Sequence, residues 1–319
     1  VSPLVEGDHV ELLGIRVVRH GFAATAAVLA VAAAVGGASW TTWLQAQDDL
    51  TELTGRARGE IVVVGIAGRP EIVGVRWQSA GGTPRVSAVE LAESQPPVGT
   101  SVEVAFDPRD PRSLTLPGSV LIASANRALT NTACLAVIVL GVLAAVAYRV
   151  VTAARASRRP ARSLRLRRMR LQNGLLSRSW LEVEDSPQRW VPVYFDPALV
   201  TLPSPTEVQV HGDPRRDRWV AATIGGRRVY PSGPVRVDEP GGRRIDNPAR
   251  PDADTARRAR AASLSRQLRV DLALAVPAPL VGLFWAFLDG GGLASWLGAT
   301  AVAATVGLWT GAYRGSDPS

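Results

Sequence analysis

Four apolar runs limit what this chain can become. Residues 22–43 (FAATAAVLAVAAAVGGASWTTW) hold 22 positions without a charge. Residues 133–148, 272–288 and 293–313 form the other three, with charges only at their edges. At about 1.5 Å of rise per residue, about 20 residues cross a hydrocarbon core of about 30 Å. Core helices of a globular fold are the alternative, but four such runs in one chain favour spans. With their flanks they predict transmembrane helices over 21–43, 131–151, 271–289 and 293–313. Arg16, Arg19 and His20 ahead of the first run also suit the start of a signal peptide. The preceding acids Glu6, Asp8 and Glu11, the length of the run, and Trp40 and Trp43 at the level of an aromatic belt favour an uncleaved span.

Charge orients these spans. All 36 basic residues are arginine, in part a habit of GC-rich coding. With no lysine there is no P-loop amine and no Schiff base. The single cysteine, Cys134, excludes an intrachain disulfide and a CxxC site. Residues 44–130 carry eight arginines against ten acids, whereas residues 149–269 carry 25 against 12. Basic residues within about 15–20 positions of a span end resist translocation. The chain is therefore expected to be a multi-pass protein of a bacterial plasma membrane with both termini cytoplasmic. Residues 1–20 and the tail 314–319 would lie inside, and 44–130 outside.

The densest arginine run, RVVTAARASRRPARSLRLRRMR (149–170), reads as a lipid-facing segment. Arg149, Arg155, Arg158, Arg159, Arg162, Arg165, Arg167, Arg168 and Arg170 follow the second run. Arg257, Arg258, Arg260, Arg266 and Arg269 precede the third. Each gains about 1 kcal/mol near an anionic leaflet, so a bilayer with anionic headgroups is the expected partner. Nucleic-acid phosphate would suit the same arginines. No helix-turn-helix, finger or RNP signature accompanies them, and nucleic acid is not expected as a partner. The second and fourth spans both end in Ala-Tyr-Arg (147–149 and 312–314), which fits tyrosine at the headgroups and a snorkelling arginine.

The segments between the spans read as β. Residues 59–68, 71–77, 85–91 and 101–107 are short, β-branched and partly alternating, punctuated by glycine and proline. They predict a small antiparallel domain within 44–130. A second β domain with a basic entry segment is expected over 152–236. Its signals are Asn173-Gly174, a hairpin turn that tolerates φ > 0 at both positions, and strands at 189–196, 198–202, 207–213, 218–224 and 227–233. VEVAFDPRDPR (102–112) and VQVHGDPRRDR (208–218) share a strand entering Asp-Pro, a hint of duplication. Residues 237–254 read as a linker, and 255–270 as a basic juxtamembrane helix with Asp254 as N-cap. The fold class expected is a membrane α+β protein: four transmembrane helices, one antiparallel β domain outside and one inside.

The stretch PVGTSVEVAFDPRDPRSLTLPG (97–118), after GEIVVVGIAG, resembles a family of bacterial multi-pass membrane proteins of unknown function. In that family a small β domain sits between two transmembrane helices. The matching residues are Gly99, Val102, Val104, Phe106, Asp107, Pro108, Asp110 and Pro111; Thr100 stands where an aspartate is usual. The resemblance covers about residues 20–150 and carries over no catalytic residue. The whole layout is similar to membrane proteins of GC-rich Gram-positive bacteria.

No residue constellation names a reaction. His9, His20 and His211 lie far apart, and no HExxH, Cys/His cluster or nucleophile elbow appears. Asp107 with Asp110, and Asp213 with Asp217, are cation candidates, but neighbouring arginines favour solvated turns. The spans hold no ionisable group at mid-depth; Arg149 and Asp271 lie at edges. Pro277 and Pro279 kink the third span. Small residues recur every four positions: Ala26, Ala30, Ala34 and Ala38 on the first span, Ala299, Ala303, Gly307 and Gly311 on the fourth. Such stripes let helices approach closely. The reading that follows is a non-enzymatic scaffold, accessory subunit or sensor in a cell-envelope complex. It would use no cofactor or metal and would assemble with a membrane-protein partner or with itself. A transporter subunit is the alternative, and an enzyme with a site invisible to motifs comes third.

Overall fold

The computed structural model describes residues 16–79, 81–92 and 95–319, with Ala256 and Arg260 described by backbone alone. The expectations for residues 1–15, His9 among them, lie outside these residues. The fold is α+β with two antiparallel sheets. Among the described residues three helices are long and apolar enough to cross a membrane: α1 (Arg16–Glu52), α2 (Val120–Ser157) and, near the end of the chain, α7 (Gly292–Arg314). α1 and α2 run 37 and 38 residues, well past the apolar runs at their centres.

The chain divides into two compact units. The first, Ala32–Ile138, holds β1 (Gly55–Ile66), β2 (Arg69–Trp77), β3 (Arg85–Glu90), β4 (Ser101–Phe106) and β5 (Leu114–Thr115), in the order β3-β2-β1-β4-β5. β1 turns into β2 through Ala67 and Gly68, both at positive φ (55° and 76°). A two-residue turn of that hand matches the twist of the strands. Alternation sends Ile61, Val73, Val75, Trp77, Val104 and Phe106 to one buried face. The Phe106 ring lies over Gly55, where a Cβ would sit 2.5 Å from it.

The second unit contains the remaining described residues. Its sheet holds β6 (Ala161–Asn173), β7 (Leu176–Val183), β8 (Arg189–Val193), β9 (Thr206–His211), β10 (Ala221–Ile224), β11 (Arg227–Val229) and β12 (Arg243–Asp246). The order is β11-β10-β9-β6-β7-β8, with β12 also on β6. The first five strands of this sheet thus follow the order of the first sheet: the opening strand is central, flanked by the second and the fourth. In both sheets the fourth strand runs into an Asp-Pro-Arg turn. The Arg109 amide donates to Asp107 Oδ1 at 2.8 Å, and the Arg215 amide to Asp213 Oδ1 at 3.0 Å.

The structure corrects several expectations. The arginine run is no free arm: from residue 161 it is β6. Leu164 and Leu166 pack on the main core, while Met169 and Leu171 join Trp180 and Trp190 on the opposite face. Only Gly174 takes positive φ in the β6–β7 turn, because Asn173 still pairs with Leu176. Residues 198–202 form no strand. Asp196 caps a short helix α3 (Pro197–Val200), accepting from the Ala198 amide. The segment read as a linker contains β12, which pairs with Met169–Gln172. The single helix expected before the third apolar run is two, α4 (Ala253–Ala261) and α5 (Leu264–Asp271), and Asp252 rather than Asp254 caps α4. The third apolar run is broken. α5 passes into a 3-10 turn, Leu272–Ala275, and α6 (Ala278–Asp289) departs at 41° after Pro277. Proline offers no amide to the helix and clashes with the preceding turn.

Candidate functional site: an arginine-rich junction at the helix ends

The polar residues of the second unit gather where α7 ends against the sheet. A helix leaves its last four carbonyls without partners. Here each finds one. Gly315, at φ +77°, donates to Ala312 O, and Ser316 donates to Gly311 O. Only a residue free to adopt that hand allows this closure. The other two carbonyls are met from the sheet. Tyr194 OH donates to Tyr313 O at 3.1 Å, and Arg178 Nε to Arg314 O at 2.8 Å. Arg178 also donates to the carbonyl and hydroxyl of Ser232, both at 3.2 Å. Its pKa is pulled down to about 10, first by burial and then by the charges of Arg149 and Arg314. Burial likewise raises the Tyr194 phenol.

Beyond α7 the chain enters the sheet. Ser316 bridges Arg178 in antiparallel fashion, and the Asp317 amide donates to Ser177 O. The Asp317 side chain is 0% exposed and Arg168 4%. Arg168 Nη2 and Ser179 Oγ each donate to Asp317 Oδ2 at 2.6 Å. Arg168 Nη1 donates to Asn247 Oδ1 at 2.7 Å, and Asn247 Nδ2 in turn donates to the carbonyls of Leu199, Val200 and Leu202. Arg168 is therefore a core residue, not a lipid-facing one. A buried guanidinium survives when it is paired and hydrogen-bonded; Asp317 and Asn247 accept from its two Nη atoms, while Nε has no partner among the described residues.

A second buried pair joins α1 to α5. His20 Nε2 lies 2.6 Å from Asp271 Oδ2, and the two residues are 2% and 1% exposed. Gly311 of α7 closes over the carboxylate, so closely that a Cβ there would overlap Asp271 Oδ1. Above this pair, Arg16 reaches the carbonyls of Ala262 and Ser263 and donates to Gln267 Oε1 at 3.0 Å; Gln267 donates to Ser316 O at 2.7 Å. His20 and Asp271 were legible only as edge residues, because a helix pairing 251 positions apart leaves no local pattern.

Arg149 completes the junction. Its guanidinium lies 4.3 Å from the Tyr313 ring centre and 5.1 Å from that of Trp219. Its Nε and Nη1 are out of solvent with no hydrogen-bond partner among the described residues. The two Ala-Tyr-Arg endings thus meet, Arg149 of one over Tyr313 of the other.

Five of the other expected headgroup arginines find acids. Arg159 pairs with Asp217, Arg162 with Asp213, and Arg165 and Arg167 with Glu184. Arg170 donates to Ser177 Oγ, Arg257 pairs with Asp254, and Arg258 donates to Thr255 Oγ1. Arg155, Arg158, Arg266 and Arg269 are exposed; the Arg260 side chain lies outside the described residues. The small-residue stripes are met in part. On α1 the buried line is Ala24, Val28 and Ala32, while Ala30, Ala34 and Ala38 are exposed and Ala26 is half-buried. Alanine occupies both faces there, so spacing alone does not choose between them. On α7, Gly307 does admit a neighbour: the Leu274 carbonyl oxygen lies 2.5 Å from where a Cβ would stand. Gly311 likewise admits Asp271, and Ala299 and Ala303 are half-buried. Among the described residues no group of three or more His, Cys, Asp or Glu is placed to hold a metal ion. His211 is bound to Thr223 Oγ1 at 2.9 Å within the sheet. No family model matches the chain, and no curated protein or solved structure is significantly similar to it.

Proposed function

We propose that the chain is a four-span protein of a bacterial plasma membrane, with the first sheet outside and the second inside, and that it serves a cell-envelope complex as scaffold, accessory subunit or sensor. The broken pair Leu264–Ala275 and Ala278–Asp289 is the third span in this reading. The observation that carries it is the α7 junction. The last helix is not tethered to the second sheet by a loose linker. Its carbonyls, tail and Asp317 are all bound by sheet residues. A displacement of α7 therefore has to move the sheet, which is the coupling a relay or rigid scaffold needs. The resemblance of 97–118 to multi-pass bacterial proteins is part of the same reading. In-cell crosslinking from both sheets, followed by affinity purification and mass spectrometry, tests it. A stoichiometric membrane-protein partner, or a second copy of the chain, is the expected result; crosslinks confined to single monomers would sink it.

One observation favours the transporter alternative. The buried His20–Asp271 pair lies next to a broken helix, and ionisable pairs beside interrupted helices line the pathways of some transporters. Proton flux into proteoliposomes that is abolished by His20→Gln would move the assignment there. Flux no greater than that of empty vesicles keeps the pair as a clasp between helices.

A further inference from the structure

Several arginines of the second unit are neutralised by a carboxylate, whereas three that meet at the end of α7 are not. Arg159, Arg162, Arg165, Arg167, Arg168 and Arg244 each hold a carboxylate. Arg149, Arg178 and Arg314 hold none among the described residues, yet they are gathered at one place: Arg178 donates to the Arg314 carbonyl, Arg149 lies over the ring of the preceding Tyr313, and both charges bear on Arg178. Three like charges do not converge without cost. Arg149 Nε and Nη1 add to that cost, since buried charged donors without acceptors are expensive. All the acceptors of Arg178 are neutral, the Arg314 carbonyl and the two oxygens of Ser232. The Trp219 and Tyr313 rings lie within cation–π distance of the Arg149 guanidinium and help to hold it at this place.

We propose that Arg149, Arg178 and Arg314 form a site for a phosphate group. A guanidinium donates to phosphate oxygens from several N–H groups, and Arg149 has two nitrogens, Nε and Nη1, whose donors are unused. The phosphate would also offset the repulsion from Arg149 and Arg314, which adds to burial in pulling the Arg178 pKa down to about 10. Two sources of phosphate fit this chemistry: the headgroup of an anionic phospholipid and free phosphate. The lipid source rests on the membrane reading above, because Arg149 and Arg314 close the apolar stretches of α2 and α7 at headgroup depth.

The test uses the full chain purified in detergent. Thermal unfolding and native mass spectrometry are followed with phosphatidylglycerol, with phosphatidylcholine, and with inorganic phosphate. Phosphatidylglycerol is expected to stay bound and to raise Tm more than phosphatidylcholine. Arg149→Gln and Arg178→Gln should each weaken that binding by about tenfold, the scale of one lost charge-assisted hydrogen bond or more. Arg155→Gln combined with Arg158→Gln removes two exposed charges and should leave it nearly unchanged. Arg314→Gln alters an exposed side chain, so it reports on the site even if the Arg178 variant fails to fold. Arg149→Lys keeps the charge and loses the fork, and should fall between. Protection by inorganic phosphate to the same degree, lost in the same variants, assigns the site to free phosphate. Protection by neither source, or equal loss in the Arg155/Arg158 control, overturns the proposal. Alkaline carbonate extraction of cell membranes scores the membrane reading separately: release of the chain would sink that reading and leave the inorganic-phosphate result standing on its own.

Discussion

At the residue scale the second unit buries the ion pair Arg168–Asp317 beneath the end of its last helix. Removing one partner of such a pair leaves a charge with no compensation, at a cost of about 3–5 kcal/mol. Asp317→Asn is therefore expected to lower Tm sharply in detergent, followed by circular dichroism. Replacing both partners, Arg168→Met with Asp317→Leu, should recover much of the loss, since apolar substitutes avoid desolvating two ions. The double variant separates charge from packing: if it is no better than Asp317→Asn, the pair is not the source of the stability. Gly315 is a second critical point. Its φ of +77° and the Ser232 Cβ, 2.8 Å from where a methyl would go, leave no room for alanine. Gly315→Ala should cost about 1–2 kcal/mol from the left-handed backbone alone, visible as a lower Tm and faster proteolysis of the tail.

At the element scale the instructive case is β6. Its strand character was legible in Leu164, Leu166 and Leu171 and in the glycine of the following turn. The fate of its arginines was not. Arg162, Arg165, Arg167 and Arg168 each depend on an acid brought from another part of the chain, such as Glu184 from just beyond β7 or Asp317 from past α7, and Arg170 on the Ser177 hydroxyl. Composition measures an excess of charge and says nothing of pairing, so a neutralised strand and a free polybasic arm look alike. The same reason hid β12: a four-residue strand amid proline and glycine has no periodicity, and its place is set by pairing with β6 and by Asn247. Asn247 supplies the test. Asn247→Ala strips donors from the carbonyls of Leu199, Val200 and Leu202 and an acceptor from Arg168, groups that cost about 1–3 kcal/mol each when left buried and unbonded. Residues 237–252 should then be cut by trypsin at Arg243 and Arg244 much faster than in the parent chain. Unchanged cleavage would mean that β12 is held by backbone pairing alone.

At the scale of the whole molecule, a long helix followed by a sheet of one strand order occurs twice, with an Asp-Pro-Arg turn after the fourth strand each time. The sequence carried only the faintest trace of this, in VEVAFDPRDPR and VQVHGDPRRDR, because topology persists through changes of side chain that erase alignment. The proposed membrane arrangement puts these two like units on opposite faces, and charge is what distinguishes them. Residues 44–130 hold eight arginines against ten acids, and 149–269 hold 25 against 12. Pairing within β6 does not weaken that argument, since orientation is set as the chain inserts and before the sheet has folded. The expected outcome can be read with single cysteines in a Cys134→Ala background. Ser79, in the first sheet's unit, and Ser186, exposed beside β8, provide the two sites. Ser79→Cys should react with an impermeant maleimide in intact cells, and Ser186→Cys only after lysis. Equal labelling of both in intact cells would place the two sheets on one side, and the opposite pattern would invert the protein. Either result would also remove the headgroup-depth argument for lipid at Arg149 and Arg314 if those helix ends proved to lie away from the anionic leaflet.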